Sequence, residues 1–134
     1  MNRVLGIICL LAVLALGSCT HESKIVIPTP VTAPTGTWKV SSFLHDGSDE
    51  KSMFDNYVFA FPSTGVITAT NSGTVKTGVF NHTTDGSVQK VVIDFDRNPL
   101  SRLDDDWDVT VNTATEIDLQ KHDDPAEALH FTKQ

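Results

Sequence analysis

Three sets of residues in this chain have chemistry to offer: two cysteines, a run of aspartates and five histidines. Cys9 lies inside an apolar run, Val4 to Leu16, and Cys19 stands just beyond its end, where a free thiol would be an exposed nucleophile. Asp94, Asp96 and Asn98 have the D-x-D-x-N spacing of a calcium loop, with Asp105 at the twelfth position. Such a loop needs glycine at its sixth position and glutamate at its twelfth; Pro99 and Asp105 stand there instead. Asp94 and Asp96 read more simply as the outward face of a strand. The histidines, at positions 21, 45, 82, 122 and 130, have no i, i+2 or i, i+4 ligand spacing and no serine or cysteine nucleophile beside them. They are expected on surfaces. The acidic residues fall in turns or on outward faces, apart from Asp55 and Glu116 on strands with polar neighbours, so no pair suggests glycoside hydrolysis, and no glycine-rich phosphate loop is present. The sequence predicts no catalytic residue, no metal ligand, no cofactor and no enzyme activity.

Cys19 has a different chemistry. Arg3, the apolar run and a small-residue exit form a secretory signal pattern. Thirteen apolar residues are too few to span a bilayer, which takes about 20. An ordinary signal cut after Ala15-Leu16-Gly17 would leave Cys19 as an unpaired thiol in an oxidising compartment. Leu16-Gly17-Ser18-Cys19 resembles the lipobox of bacterial lipoproteins, in which the cysteine is lipidated and becomes the new N-terminus. The resemblance implies residues 1–18 as signal peptide and a membrane anchor on Cys19. Each buried acyl CH₂ contributes about 0.8 kcal/mol, so two or more chains hold stably. Thr20 after the cysteine does not resemble an inner-membrane retention signal, which favours the outer membrane of a bacterial envelope.

Cleavage there leaves 116 of the 134 residues, enough for one domain. No second cysteine remains for Cys19, so the domain must stand on an apolar core without disulfides. Net charge is -7, and loss of Arg3 takes it to -8. That balance excludes nucleic acid as a partner and argues against an anionic lipid surface bound through a basic patch.

Residues 19–34 form the lipidated terminus and a tether. Pro28, Pro30 and Pro34 favour extended backbone, and at about 3.1 Å per residue the segment reaches about 45 Å. Residues 35–134 are the folded domain. Apolar residues alternate with polar ones from Gly36 onward, and turn residues recur at short intervals. Strands are expected over 37–44, 54–61, 66–71, 74–80 and 88–95, with three more around Trp107–Val111, Ile117–Leu119 and Leu129–Phe131. Trp38, Val40 and Leu44 are expected to share the inward face of the first, and Tyr57, Phe59 and Phe61 that of the second. Asn81 to Gly86 reads as a loop, and Pro99 as the opening of a single helical turn. No segment has a helical apolar period. The fold class is all-β, an antiparallel up-and-down barrel of about eight strands; a two-sheet sandwich also satisfies the pattern.

Gly36-Thr37-Trp38 at the head of the first strand matches the Gly-x-Trp signature of lipocalins. With the segments that follow, from GTWKVSSF to LHFTK, residues 36–134 resemble the small lipocalin-like lipoproteins of Gram-negative bacteria. The resemblance implies that Trp38 packs across a closed barrel base, where Lys133 is the one basic residue placed to cap it. It also implies binding of a small hydrophobic ligand, for which Tyr57, Phe59, Phe61 and Trp107 are the candidate pocket liners. An eight-stranded barrel holds one small ligand at most, and inward residues this bulky favour a mostly filled interior. The second expectation is therefore a filled barrel whose outer surface or open-end loops, 45–52 and 96–106, bind an envelope protein or a glycan.

Overall fold

A computed structural model of the chain describes residues 34–134. The expected signal peptide, the lipobox-like 16–19 and all but the end of the expected tether lie outside the described residues.

Eight strands close into one antiparallel barrel. They are β1 (Thr37–His45), β3 (Val58–Ser63), β4 (Gly65–Asn71), β5 (Thr74–Asp85), β6 (Val88–Asp94), β7 (Asp105–Asn112), β8 (Glu116–Lys121) and β9 (Ala128–Lys133). Each pairs with the next in sequence, and β9 closes the ring on β1 from Trp38↔Lys133 to Leu44↔Ala128. The two-residue strand β2 (Ser48–Asp49) hangs from the end of β1 outside the ring. Asp46-Gly47 and Ser72-Gly73 join their strand pairs with both turn residues at positive φ. That geometry matches the right-handed twist of a hairpin, and glycine adopts it without steric cost.

A bulge in β1 changes which side chains face inward. Val40 pairs with Phe131 and Ser42 with His130, so Ser41 is an extra residue without a partner of its own. One inserted residue moves the following side chains to opposite faces. Phe43 is consequently buried and Leu44 is 37% exposed, the reverse of strict alternation.

Two further departures shape the barrel's ends. The segment expected as a strand from Phe54 begins as a 3-10 helix, Lys51–Phe54, and pairing starts only at Val58. The expected loop at 81–86 is strand as far as Asp85, because β5 continues beside β6 through Asp85↔Val88. Pro99 does precede a helical turn, a 3-10 helix over Leu100–Leu103.

The core fills the barrel from end to end. At the base, Trp38 meets Phe61 edge-on at 6.2 Å, and Phe61 meets Phe131 at 6.0 Å. The Lys133 ammonium caps Trp38, 5.9 Å from the ring centroid, a cation–π contact. Phe59, Ile67, Val91, Leu119 and Leu129 fill the middle, all at most 1% exposed. Side chains of this size contribute about 1.5–3 kcal/mol each when fully buried, and the described residues, which contain no cysteine, are held by that burial.

Candidate functional site

The mouth, opposite the base, is where the fold leaves room for chemistry. β1 touches β3 only at Thr37↔Ala60 and Trp38↔Phe59. Towards the mouth the two strands diverge, and the 3-10 helix at 51–54 fills the gap. It drives Phe54 onto Phe43, with ring centroids 5.5 Å apart. From the other side, the 95–104 loop inserts Leu100 and Leu103, both buried. The Asp104 carboxylate ties that loop shut by accepting the Phe95 backbone N–H at 2.7 Å. Burial pushes the Asp104 carboxyl upward in pKa, this hydrogen bond opposes the shift, and Asp94 and Asp96 reinforce it. The Trp107 indole N–H donates to the Leu103 carbonyl at 2.9 Å. Together the two loops form a plug.

The plug is latched by charge. Arg102 Nε donates to Glu50 Oε2 at 3.0 Å, and Nη2 reaches both carboxylate oxygens. This fork-to-fork pairing fixes orientation as well as attraction. Nearby, His45 Nδ1 lies 3.4 Å from Glu127 and its Nε2 lies 3.4 Å from Asp46. Lys121 stands 3.2 Å from Glu127 and 3.0 Å from Asp105.

His45, Asp46 and Glu127 are close enough together to suggest three metal ligands. The arrangement argues otherwise. The two nitrogens of one imidazole face different carboxylates, and the Lys121 ammonium already neutralises Glu127. Glu127 lies in the turn before β9, as expected of the acids, yet it is buried there, at 5% exposure. The three consecutive aspartates take different partners: Asp104 holds the loop, Asp105 pairs with Lys121 and Asp106 with Lys90.

Beside the plug a cleft of about 330 Å³ opens between Tyr57, residues 75–77 of β5 and residues 95–98, with Leu100 behind them. Gly78 makes room for one of its walls. A Cβ there would lie 2.5 Å from the Asp94 carbonyl and 2.7 Å from the Phe95 ring, so glycine lets Phe95, which lines the cleft, pack closely against β5.

Comparison of the chain with protein-family models, with curated proteins and with solved structures finds no match.

The four aromatic residues singled out in the sequence therefore separate. Tyr57 lines the cleft. Phe59, Phe61 and Trp107 are packed inside the barrel, at 0%, 6% and 1% exposure. Gly36 and Trp38 belong to the base, at the other end of the barrel. The β3–β4 and β4–β5 ladders bring Lys76 to Tyr57, the pairing of β5 with β6 adds Phe95 and Arg97, and no local pattern in the sequence links them. Among the histidines, His82 departs most from the surface expectation. It faces inward beside Phe80, with ring centroids 5.1 Å apart, and neither ring nitrogen has a hydrogen-bond partner.

Proposed function

We propose that this protein is a lipid-anchored, non-enzymatic component of the bacterial cell envelope, at the outer membrane, whose barrel serves as a rigid stand for a binding mouth. A small apolar molecule would be held in the cleft beside the plug, and the barrel interior would act as packed scaffold. The observation that carries this reading is the contrast between the two regions. Bulky side chains occupy the interior, while the mouth retains a cleft of about 330 Å³, within the size range of small-molecule sites. The lipocalin likeness supports it through Gly36-Thr37-Trp38 at the base, the Lys133 cap and the up-and-down strand order.

Chain direction supports the anchoring half of the proposal. β1 starts at the base, so a tether arriving from Cys19 would join the barrel at the end remote from the cleft. The mouth would then face away from the membrane that holds the anchor. A second reading, a protein or glycan partner at the same end, is favoured by Met53 and Leu44, which are 41% and 37% exposed beside the plug.

Native mass spectrometry of the protein extracted gently from its own membrane tests both readings. A reproducible small adduct, lost when Thr77→Trp obstructs the cleft, supports the first. A stable protein complex with no small adduct supports the second and overturns the first. Anchoring is tested separately: Cys19→Ser protein that still fractionates with membrane at high salt would overturn the lipid anchor.

A further inference from the structure

We propose that the mouth cleft selects a small organic monoanion with an apolar body, its charge held by Lys76 and Arg97. This inference rests on the mouth being the binding end and names the ligand class that end would take.

The distribution of positive charge carries the inference. The described residues contain eight lysines and arginines, and six of them are engaged. Lys39 donates to the Asp55 carbonyl and Lys51 to the Asp55 carboxylate. Lys90 pairs with Asp106, Arg102 with Glu50, and Lys121 with Asp105 and Glu127. Lys133 lies over Trp38. The two left without an acid, carbonyl or ring partner among the described residues are Lys76 and Arg97, and both line the cleft. In a chain where 17 acids face 10 bases, cations without partners are scarce, and two in one cleft form a local field of the opposite sign to the rest of the protein.

The remaining walls define the rest of the ligand. Phe95 and Leu100, each 3% exposed, give an apolar floor, and half-buried Tyr57 adds a ring and a hydroxyl. Asp96 is the one acid in the lining. Two cations and one carboxylate leave a single positive charge, which suits a monoanion and repels further negative charge on the ligand. A cleft of about 330 Å³ is at the small end of ligand sites, too small for a two-chain lipid.

The test uses the full-length chain with an isosteric pair of probes, 2-naphthoate and the neutral 2-naphthamide, followed by calorimetry and backbone amide shifts. Naphthoate is expected to shift the amides of residues 75–77 and 95–98 and to bind at least about tenfold more tightly than naphthamide, as charge-assisted contacts do. Lys76→Gln and Arg97→Gln each weaken naphthoate about fivefold, and the double variant brings it down to naphthamide without moving the unfolding midpoint. Inorganic phosphate alone leaves naphthoate binding unchanged. Equal binding of the two probes at those amides, or a naphthoate preference that survives in the double variant, overturns the anion assignment and leaves the mouth as the binding end. Phosphate that displaces naphthoate overturns the apolar body. Neither probe shifting those amides overturns the assignment together with the mouth reading.

Discussion

Arg102 and Glu50 join the two loops that plug the barrel, with the guanidinium laid along the carboxylate across the mouth. Each loop delivers its own apolar plug, Phe54 from one side and Leu100 with Leu103 from the other, so the ion pair controls whether the plugs move together. Arg102 holds the Glu50 carboxyl below its ordinary pKa. The stabilisation is thus complete above about pH 4.5 and is lost as pH falls through the lowered folded value. Glu50→Gln is expected to speed amide exchange in residues 51–54 and 100–103 at neutral pH while leaving the base around Trp38 unchanged. Acidifying the unaltered protein should reproduce that pattern. Uniform exchange across the barrel would show that the pair does not act on the mouth locally.

The Ser41 bulge makes two adjacent side chains unequal. Phe43 is fully buried against Phe54, while Leu44 is 37% exposed. Phe43→Ala is expected to cost about 3–5 kcal/mol, the range for a large buried aromatic residue. Leu44→Ala should stay within about 0.5 kcal/mol, as surface changes do. Urea unfolding of the two variants checks this, and equal losses would mean that the strand alternates without the bulge.

That pair also marks the limit of what alternation can reveal. Strand number and most of the core follow from period two, since Val91, Ile93, Ile117, Leu119, Leu129 and Phe131 alternate without interruption and are all buried, whereas closure rests on the β1–β9 pairing, which a sandwich with the same alternation would lack. The bulge leaves no trace in the sequence because Ser41 and Ser42 are alike, and either could be the extra residue. Phe54 reads as strand because it precedes Tyr57, Phe59 and Phe61. It is helical because β1 has already diverged from β3 there and has no ladder to offer. The cleft was the least legible part. Tyr57 is visible in its aromatic run, but Lys76 and Arg97 are isolated cations in the sequence, and only the closing of β5 on β6 gives them a shared role.

Two histidines should give stability opposite dependences on pH. Burial pushes the His82 imidazole below its usual pKa, with no partner for either nitrogen. The unfolded chain binds a proton near pH 6.5 more readily than the folded one. His82 therefore favours the fold fully above that value, and the advantage falls as pH drops towards the lowered folded value. Asp108, 2.8 Å from His122 Nδ1, raises the His122 pKa by hydrogen bond and charge. Its contribution is full below about pH 6.5 and disappears as pH rises through the raised value. Thermal unfolding followed from about pH 4 to pH 8 should show a flatter acid side in His82→Phe and a smaller decline above neutrality in His122→Gln. If His82→Phe left the acid limb unchanged, the imidazole would not be buried in its neutral form.

Gly78 couples the core to the cleft through a single missing atom. The Cβ of alanine would stand 2.5 Å from the Asp94 carbonyl and 2.7–2.8 Å from two atoms of the Phe95 ring. The Asp94 carbonyl is backbone, so relieving that contact strains the β5–β6 ladder, and the Phe95 ring must move as well. Overpacking of this kind costs about 1–3 kcal/mol, which a denaturation curve resolves. The same displacement pushes Phe95 into the cleft and away from Tyr57. Gly78→Ala is therefore expected to weaken 2-naphthoate binding even where the variant remains fully folded, whereas Gly73→Ala, whose Cβ would meet nothing within 4 Å, should lose stability through its positive φ alone and bind normally. Equal binding by both variants would separate the cleft from Phe95, and the apolar wall would then have to come from Leu100 and Tyr57.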